Sequence, residues 1–159
     1  MKRSLSILAQ NHPGVLQRIA GLFGRRNFNM ESITVGGSER EGLSRITITV
    51  DGDERTIEQM NRQLGKLIDV VEVECLEGRA VLARELMLVK LRPESRTRAD
   101  ILAIAEKFGC AAVVDAGAGS VVIQVVGEAE RNDALLRLLR PYGIAGLGRT
   151  GETAIPQGD

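Results

Sequence analysis

The order in which the hydrophobic period changes along this chain constrains its fold more than any single motif. Over residues 3–9, Leu5, Ile7 and Ala9 alternate with Ser4 and Ser6, the period of a half-buried strand. Val15, Leu16, Ile19, Ala20, Leu22 and Phe23 then fall on one face of a helix. The run Gly24-Arg25-Arg26-Asn27-Phe28-Asn29 breaks that helix, with charge in its last turn as helix C-termini favour. Ile33 and Val35 alternate with Ser32 and Thr34, and Ile46, Ile48 and Val50 with Arg45, Thr47 and Thr49. The polar stretch 36–42 between these two strands reads as a turn. After the turn Asp51-Gly52-Asp53, Ile57, Met60, Leu64 and Leu67 have helical spacing, and Val71, Val73 and Cys75 alternate with Glu72 and Glu74.

This is β-α-β-β-α-β. Right-handed crossovers through the two helices predict a split, ferredoxin-like sheet with both helices on one face. The other face, with Ser4, Ser6, Ser32, Thr34, Arg45, Thr47, Thr49, Glu72 and Glu74, is expected to be wet. The pattern then recurs. Residues 77–84 read as a connection, 85–91 as a strand, and Ile101, Ile104, Ala105 and Phe108 as a helix face. Residues 110–116 and 120–126 read as a hairpin, Leu135, Leu138 and Leu139 as a helix stopped by Pro141, and 144–149 as a last strand. The expected architecture is therefore α+β, with two ferredoxin-like βαββαβ domains at 1–77 and 78–159. Leu86, Leu88, Val122 and Val126 make the open face of the second domain apolar, the mark of a contact surface. The tail 151–159 is expected to be mobile.

Between the first strand and helix lies Gln10-Asn11-His12-Pro13-Gly14. Pro13 suits the first helical position. The amides of Gly14, Val15 and Leu16 then lack intrahelical acceptors at the positive end of the helix dipole. Gly14 lets a ligand approach the backbone, and Asn11 offers a donor and an acceptor, so the turn suits a carboxylate. Taken alone, the stretch reads more readily as a turn that binds nothing, with Asn11 and His12 shaping it and Gly14 relieving packing, because polar residues before helices are common.

Composition removes several alternatives. Lys+Arg and Asp+Glu are both 21, a zero balance that argues against a partner held by phosphate neutralisation. Three Phe, one Tyr and no Trp, none of them in the third strand, leave no platform for stacking nucleic-acid bases. No apolar run spans a bilayer, and the N-terminus lacks a signal-peptide pattern, so no membrane role is expected. Cys75 and Cys110 lie far apart in apolar segments, as expected for reduced, buried thiols in the cytoplasm. His12 is the single histidine, and no nucleophile–base set or metal-ligand spacing is recognisable. Residues 146–151 match GxGxxG but open no helix, so a dinucleotide site is rejected.

The strings Asn11-His12-Pro13-Gly14-Val15-Leu16-Gln17-Arg18, Gly21-Leu22-Phe23 and Asn29-Met30-Glu31-Ser32-Ile33-Thr34-Val35 resemble an ACT domain, a ferredoxin-like module that binds amino acids. Residues 43–48, 63–70 and 84–90 extend the resemblance to the small, regulatory subunit of acetolactate synthase, over nearly the whole chain. That resemblance implies a non-catalytic subunit that stimulates a catalytic large subunit and confers feedback inhibition by valine in branched-chain amino acid biosynthesis. The catalytic partner would carry thiamine diphosphate, magnesium and FAD, and this chain none of them. The implied effector site is Asn11, His12, Pro13, Gly14, Val15 and Leu16. Asn11, Gly14 and Val15 would hold the carboxylate and amino group, and Asn29 and Met30 would reach in from the second chain of a homodimer. A free-standing tandem ACT sensor acting on another partner is the alternative.

Overall fold

The computed structural model describes residues 2–76 and 80–158. The expected domain boundary at 77, and the start of the connection 77–84, lie outside the described residues. In order, the elements are β1 (Lys2–Gln10), α1 (Val15–Arg25), β2 (Met30–Gly37), β3 (Leu43–Asp51), α2 (Glu54–Leu64) and β4 (Val70–Cys75). There follow β5 (Val81–Leu91), α3 (Arg98–Lys107), β6 (Ala111–Ala116), β7 (Val121–Gly127), α4 (Ala129–Leu139), β8 (Ile144–Arg149) and β9 (Thr153–Pro156). The chain divides into two compact units: residues up to Leu82 together with those from Gly151 on, and Ala83–Thr150.

In the first unit the strand order is β2-β3-β1-β4, every neighbouring pair antiparallel. β1 and β2 are thus parallel on either side of β3, which is the split βαβ predicted. Leu5, Ile7 and Ala9 of β1 and Ile46, Ile48 and Val50 of β3 are buried against Ile19, Leu22 and Phe23 of α1 and Ile57, Met60 and Leu64 of α2. Burying each large aliphatic side chain is worth roughly 1.5–3 kcal/mol, so this shared face is what holds both helices on one side. Leu16 and Ala20, expected on the buried face of α1, point outward, and Leu16 is 45% exposed.

Local chemistry sets the helix ends. Asp53 caps α2 by accepting the Thr56 N–H at 2.8 Å. At the end of α1 the left-handed residue is Asn27, with φ 55. The Asn27 N–H donates to Gly24 O at 3.2 Å and the Phe28 N–H to Phe23 O at 3.0 Å, the paired bonds of a Schellman stop. Its hydrophobic contact is Phe28 edge-on to Phe23, with ring centroids 6.0 Å apart.

Two expectations for the first unit are corrected. A register shift between Leu8 and Ala9 pairs Ala9 with Val70, so Val70 and Val73 pack on the core and Val71 is exposed. The sheet face opposite the helices is not wet throughout: Ser6, Thr47 and Thr49 are buried, while Glu72 is exposed. Residues expected to form a mobile tail lie on it. The Glu152 carboxylate accepts from Ser4 Oγ at 3.2 Å and Thr49 Oγ1 at 3.4 Å. Gly151 fits against Ser32 and Thr34 because it has no side chain; a Cβ there would lie 2.9 Å from both. β9 pairs with β5, the Gln157 N–H donates to Ala80 O at 2.8 Å, and Ala154 is 2% exposed.

The second unit repeats the plan in the order β6-β7-β5-β8. Met87, Val89 and Leu91, with Val121, Ile123 and Val125, pack under Ile101 and Ala105 of α3 and Leu135, Leu136 and Leu139 of α4. Its open face exposes Leu86, Leu88 and Val126 as expected, while Val122 is half-buried. Gly146 and Gly148 of the GxGxxG match lie within β8, and Arg149 pairs with Glu85 at 2.6 Å. Both cysteines are half-buried rather than buried.

Candidate functional site

The turn after β1 is fixed from outside itself. The Gln10 N–H donates to Asp69 O at 2.8 Å and the Asn11 N–H to Gly42 O at 2.9 Å. Pro13 is not the first helical residue. Gly14 is the N-cap of α1, in the left-handed region with φ 89, and no side chain caps the helix. The Val15 N–H reaches His12 O at 3.4 Å, and the Arg18 N–H donates to Gly14 O at 3.0 Å. Between them the Leu16 and Gln17 amides have no backbone acceptor among the described residues. Asn11, His12 and Pro13 are exposed, Gly14 is half-exposed, and Val15 is buried in the core. The turn therefore presents unpaired donors at a helix N-terminus, with Asn11 exposed on the stretch that leads into it.

Asn29 and Met30 sit at the entry to β2, an edge strand of the sheet. Asn29 is exposed, whereas Met30 packs against the core of its own unit. Within one chain, among the described residues, no hydrogen bond or ion pair joins either to the turn.

Two residues that bear on the turn were not singled out from sequence. Asp69, in the connection from α2 to β4, accepts from Arg18 Nε at 2.6 Å and lies 3.1 Å from His12 Nε2. Arg18 in turn lies across Gly14: its Nη1 is 3.0 Å from the position a Gly14 Cβ would occupy. The bare side of Gly14 thus houses a guanidinium rather than open space for a ligand. The signal was present in Leu67-Ile68-Asp69-Val70-Val71, where one acid interrupts an apolar run and needs a partner. Among the described residues, no three His, Cys, Asp or Glu side chains are grouped to hold a metal. A separate cavity of about 380 Å³ is lined by Arg26, Phe28, Gln59, Arg62, Gln63 and Lys66, cations that suit the helix C-termini beside them.

Residues 5–72 match the family model described as an AHAS small subunit-like ACT domain, and residues 84–158 match that of the small subunit of acetolactate synthase. The acetolactate synthase small subunit of Bacillus subtilis is 45% identical over 99% of this chain and 92% of its own length. The chain belongs to the acetolactate synthase small-subunit family. A probable small subunit from Methanothermobacter thermautotrophicus is 46% identical over 97% of this chain and 92% of its own. The crystal structure of the small subunit from Thermotoga maritima matches with a TM-score of 0.93 and 35% identity, covering 100% of this chain and 99% of that one. In this family of regulatory subunits the turn at Asn11–Gly14 belongs to the ACT domain, inside the residues matched by its model. Among the described residues, no helix is long and apolar enough to cross a membrane.

Proposed function

We propose that this chain is the regulatory subunit of a cytoplasmic acetolactate synthase, binding valine or a related branched-chain amino acid at the Asn11–Leu16 turn. The observation that carries this reading is the uncapped, glycine-led start of α1, with free Leu16 and Gln17 amides, in an ACT domain. The carboxylate sits on those amides beside Asn11, where the helix dipole favours an anion. Residues 1–77 serve effector binding and dimerisation, and the second βαββαβ unit, Ala83–Thr150, forms the other domain. β2 is an edge strand, so a second protomer added there brings its exposed Asn29, with Met30 behind it, to the join. A homodimer with the two sheets side by side completes the site. The chain has no turnover alone. The large subunit supplies thiamine diphosphate, magnesium and FAD, and this chain raises its activity and makes it valine-sensitive.

Such inhibition requires valine to bind two states of the complex with different affinity, and the coupling is reciprocal. Reconstitution with the large subunit is the test. Stimulation without valine and inhibition with it are expected, at a coupling of about 1–3 kcal/mol. Asn11→Ala removes a polar contact worth roughly 1.5–3 kcal/mol to a charged ligand and should weaken valine binding about ten- to a hundredfold while sparing stimulation. A folded, dimeric Asn11→Ala chain that loses stimulation and valine response together would place the turn on the enzyme-contacting surface. Stimulation of no large subunit, with valine still bound, would favour a free-standing sensor.

A further inference from the structure

We propose that Asp69 is a positioning residue of the effector turn, acting through Arg18 on the bound amino acid. The inference rests on the amino-acid-binding reading above and adds a residue to it. The Asp69 side chain is 9% exposed, whereas its partners Arg18 and His12 are 46% and 49% exposed. A carboxylate so placed persists only when paired, and both of its partners belong to the turn or to the helical turn that follows it. The Asp69 backbone carbonyl also accepts the Gln10 N–H at 2.8 Å. One residue thus grips the turn before it, within it and after it.

The consequence falls on Arg18. With Nε bound to the Asp69 carboxylate at 2.6 Å, the planar guanidinium is held in one orientation, Nη1 over Gly14. Among the described residues no acceptor takes the Nη1 and Nη2 protons. They remain for an anion that arrives at the Leu16 and Gln17 amides, and a carboxylate matches a guanidinium fork two bonds at a time. Without Asp69 the half-exposed Arg18 side chain regains its rotamer freedom and leaves that position.

The sign of the effect separates positioning from simple electrostatics. Removing a negative charge near an anionic ligand tightens binding by Coulomb's law. Loss of positioning weakens it. The experiment is calorimetric titration of the full-length chain and its Asp69→Asn, Arg18→Gln and doubly substituted forms with L-valine, with melting temperature and dimer state recorded in parallel. The expected result is about tenfold weaker valine binding by Asp69→Asn, with no further loss when it is added to Arg18→Gln. Asp69→Asn binding valine as well as the unsubstituted chain or better, or adding its full loss to that of Arg18→Gln, overturns the proposal. So does a lower melting temperature with unchanged valine affinity, the mark of a merely structural pair. If Asp69→Asn fails to fold, Arg18→Lys keeps the charge without the fork over Gly14; it should still weaken valine severalfold, and unchanged affinity overturns the proposal. An unsubstituted, dimeric chain that takes no valine overturns the underlying reading as well.

Discussion

Gly14 shows how much one residue can set. Its φ of 89 lies where side chains with a Cβ are strained, and the space beside it holds Arg18 Nη1 at 3.0 Å from the missing Cβ. Both features point the same way for substitution. Gly14→Ala must strain the backbone, at about 1–3 kcal/mol, and displace the guanidinium. The expected outcome is a lower midpoint in chemical denaturation together with weaker valine binding. A variant as stable as the unsubstituted chain would mean that the turn relaxes out of the left-handed region without cost. Asn27, also at positive φ, uses the tolerance of asparagine for that region to end α1.

At the scale of elements, α1 and α2 begin in opposite ways. α2 is capped by its own Asp53, whereas α1 has no side-chain cap and leaves amides exposed. A helix begun without a cap forgoes local stability, which is consistent with an end kept open for a ligand. The Asp53 carboxyl is held below its ordinary pKa, first by the Thr56 hydroxyl and then by the Thr56 N–H. A group depressed on folding contributes stability that is complete above its unfolded value and is lost as pH falls through its folded value. Asp53→Ala should therefore lower the melting temperature at neutral pH, and the gap from the parent should close as pH falls below the ordinary aspartate value. Thermal melts across that range check it, and a gap that widens on acidification would contradict the capping role.

At the scale of the molecule, the last residues return to the first unit. Glu152 accepts from Ser4 and Thr49, and Gln157 N donates to Ala80 O. Three such bonds are worth roughly 2–4 kcal/mol net. A chain ending at Thr150 should lose stability on that order, and hydrogen exchange should quicken in β1 and β3, whose outer face β9 and its neighbours cover. Unchanged exchange in those strands would show that the tail adds nothing to the sheet it lies on.

Local periodicity specifies the order of the elements from β1 to β8 and both cores. One-sided burial writes a period into each strand and helix, and Leu5, Ile7 and Ala9 or Met87, Val89 and Leu91 are buried as that period requires. The sequence also made the Asn11–Gly14 turn visible, because a glycine and a proline ahead of an amphipathic face are a local signal. Tertiary structure decided the rest. Val70 rather than Val71 faces the core because a bulge is a property of a strand pair, not of one strand. The tail is ordered because its partners Ser4 and Thr49 lie more than a hundred residues away in the chain. Asp69 and Arg18 meet because β1 ends beside the start of β4, its antiparallel neighbour in the sheet. Alternation and capping are short-range and leave a mark on neighbouring residues. Ion pairs and strand register join distant ones, and only the folded chain brings their charges and hydrogen bonds within reach of each other.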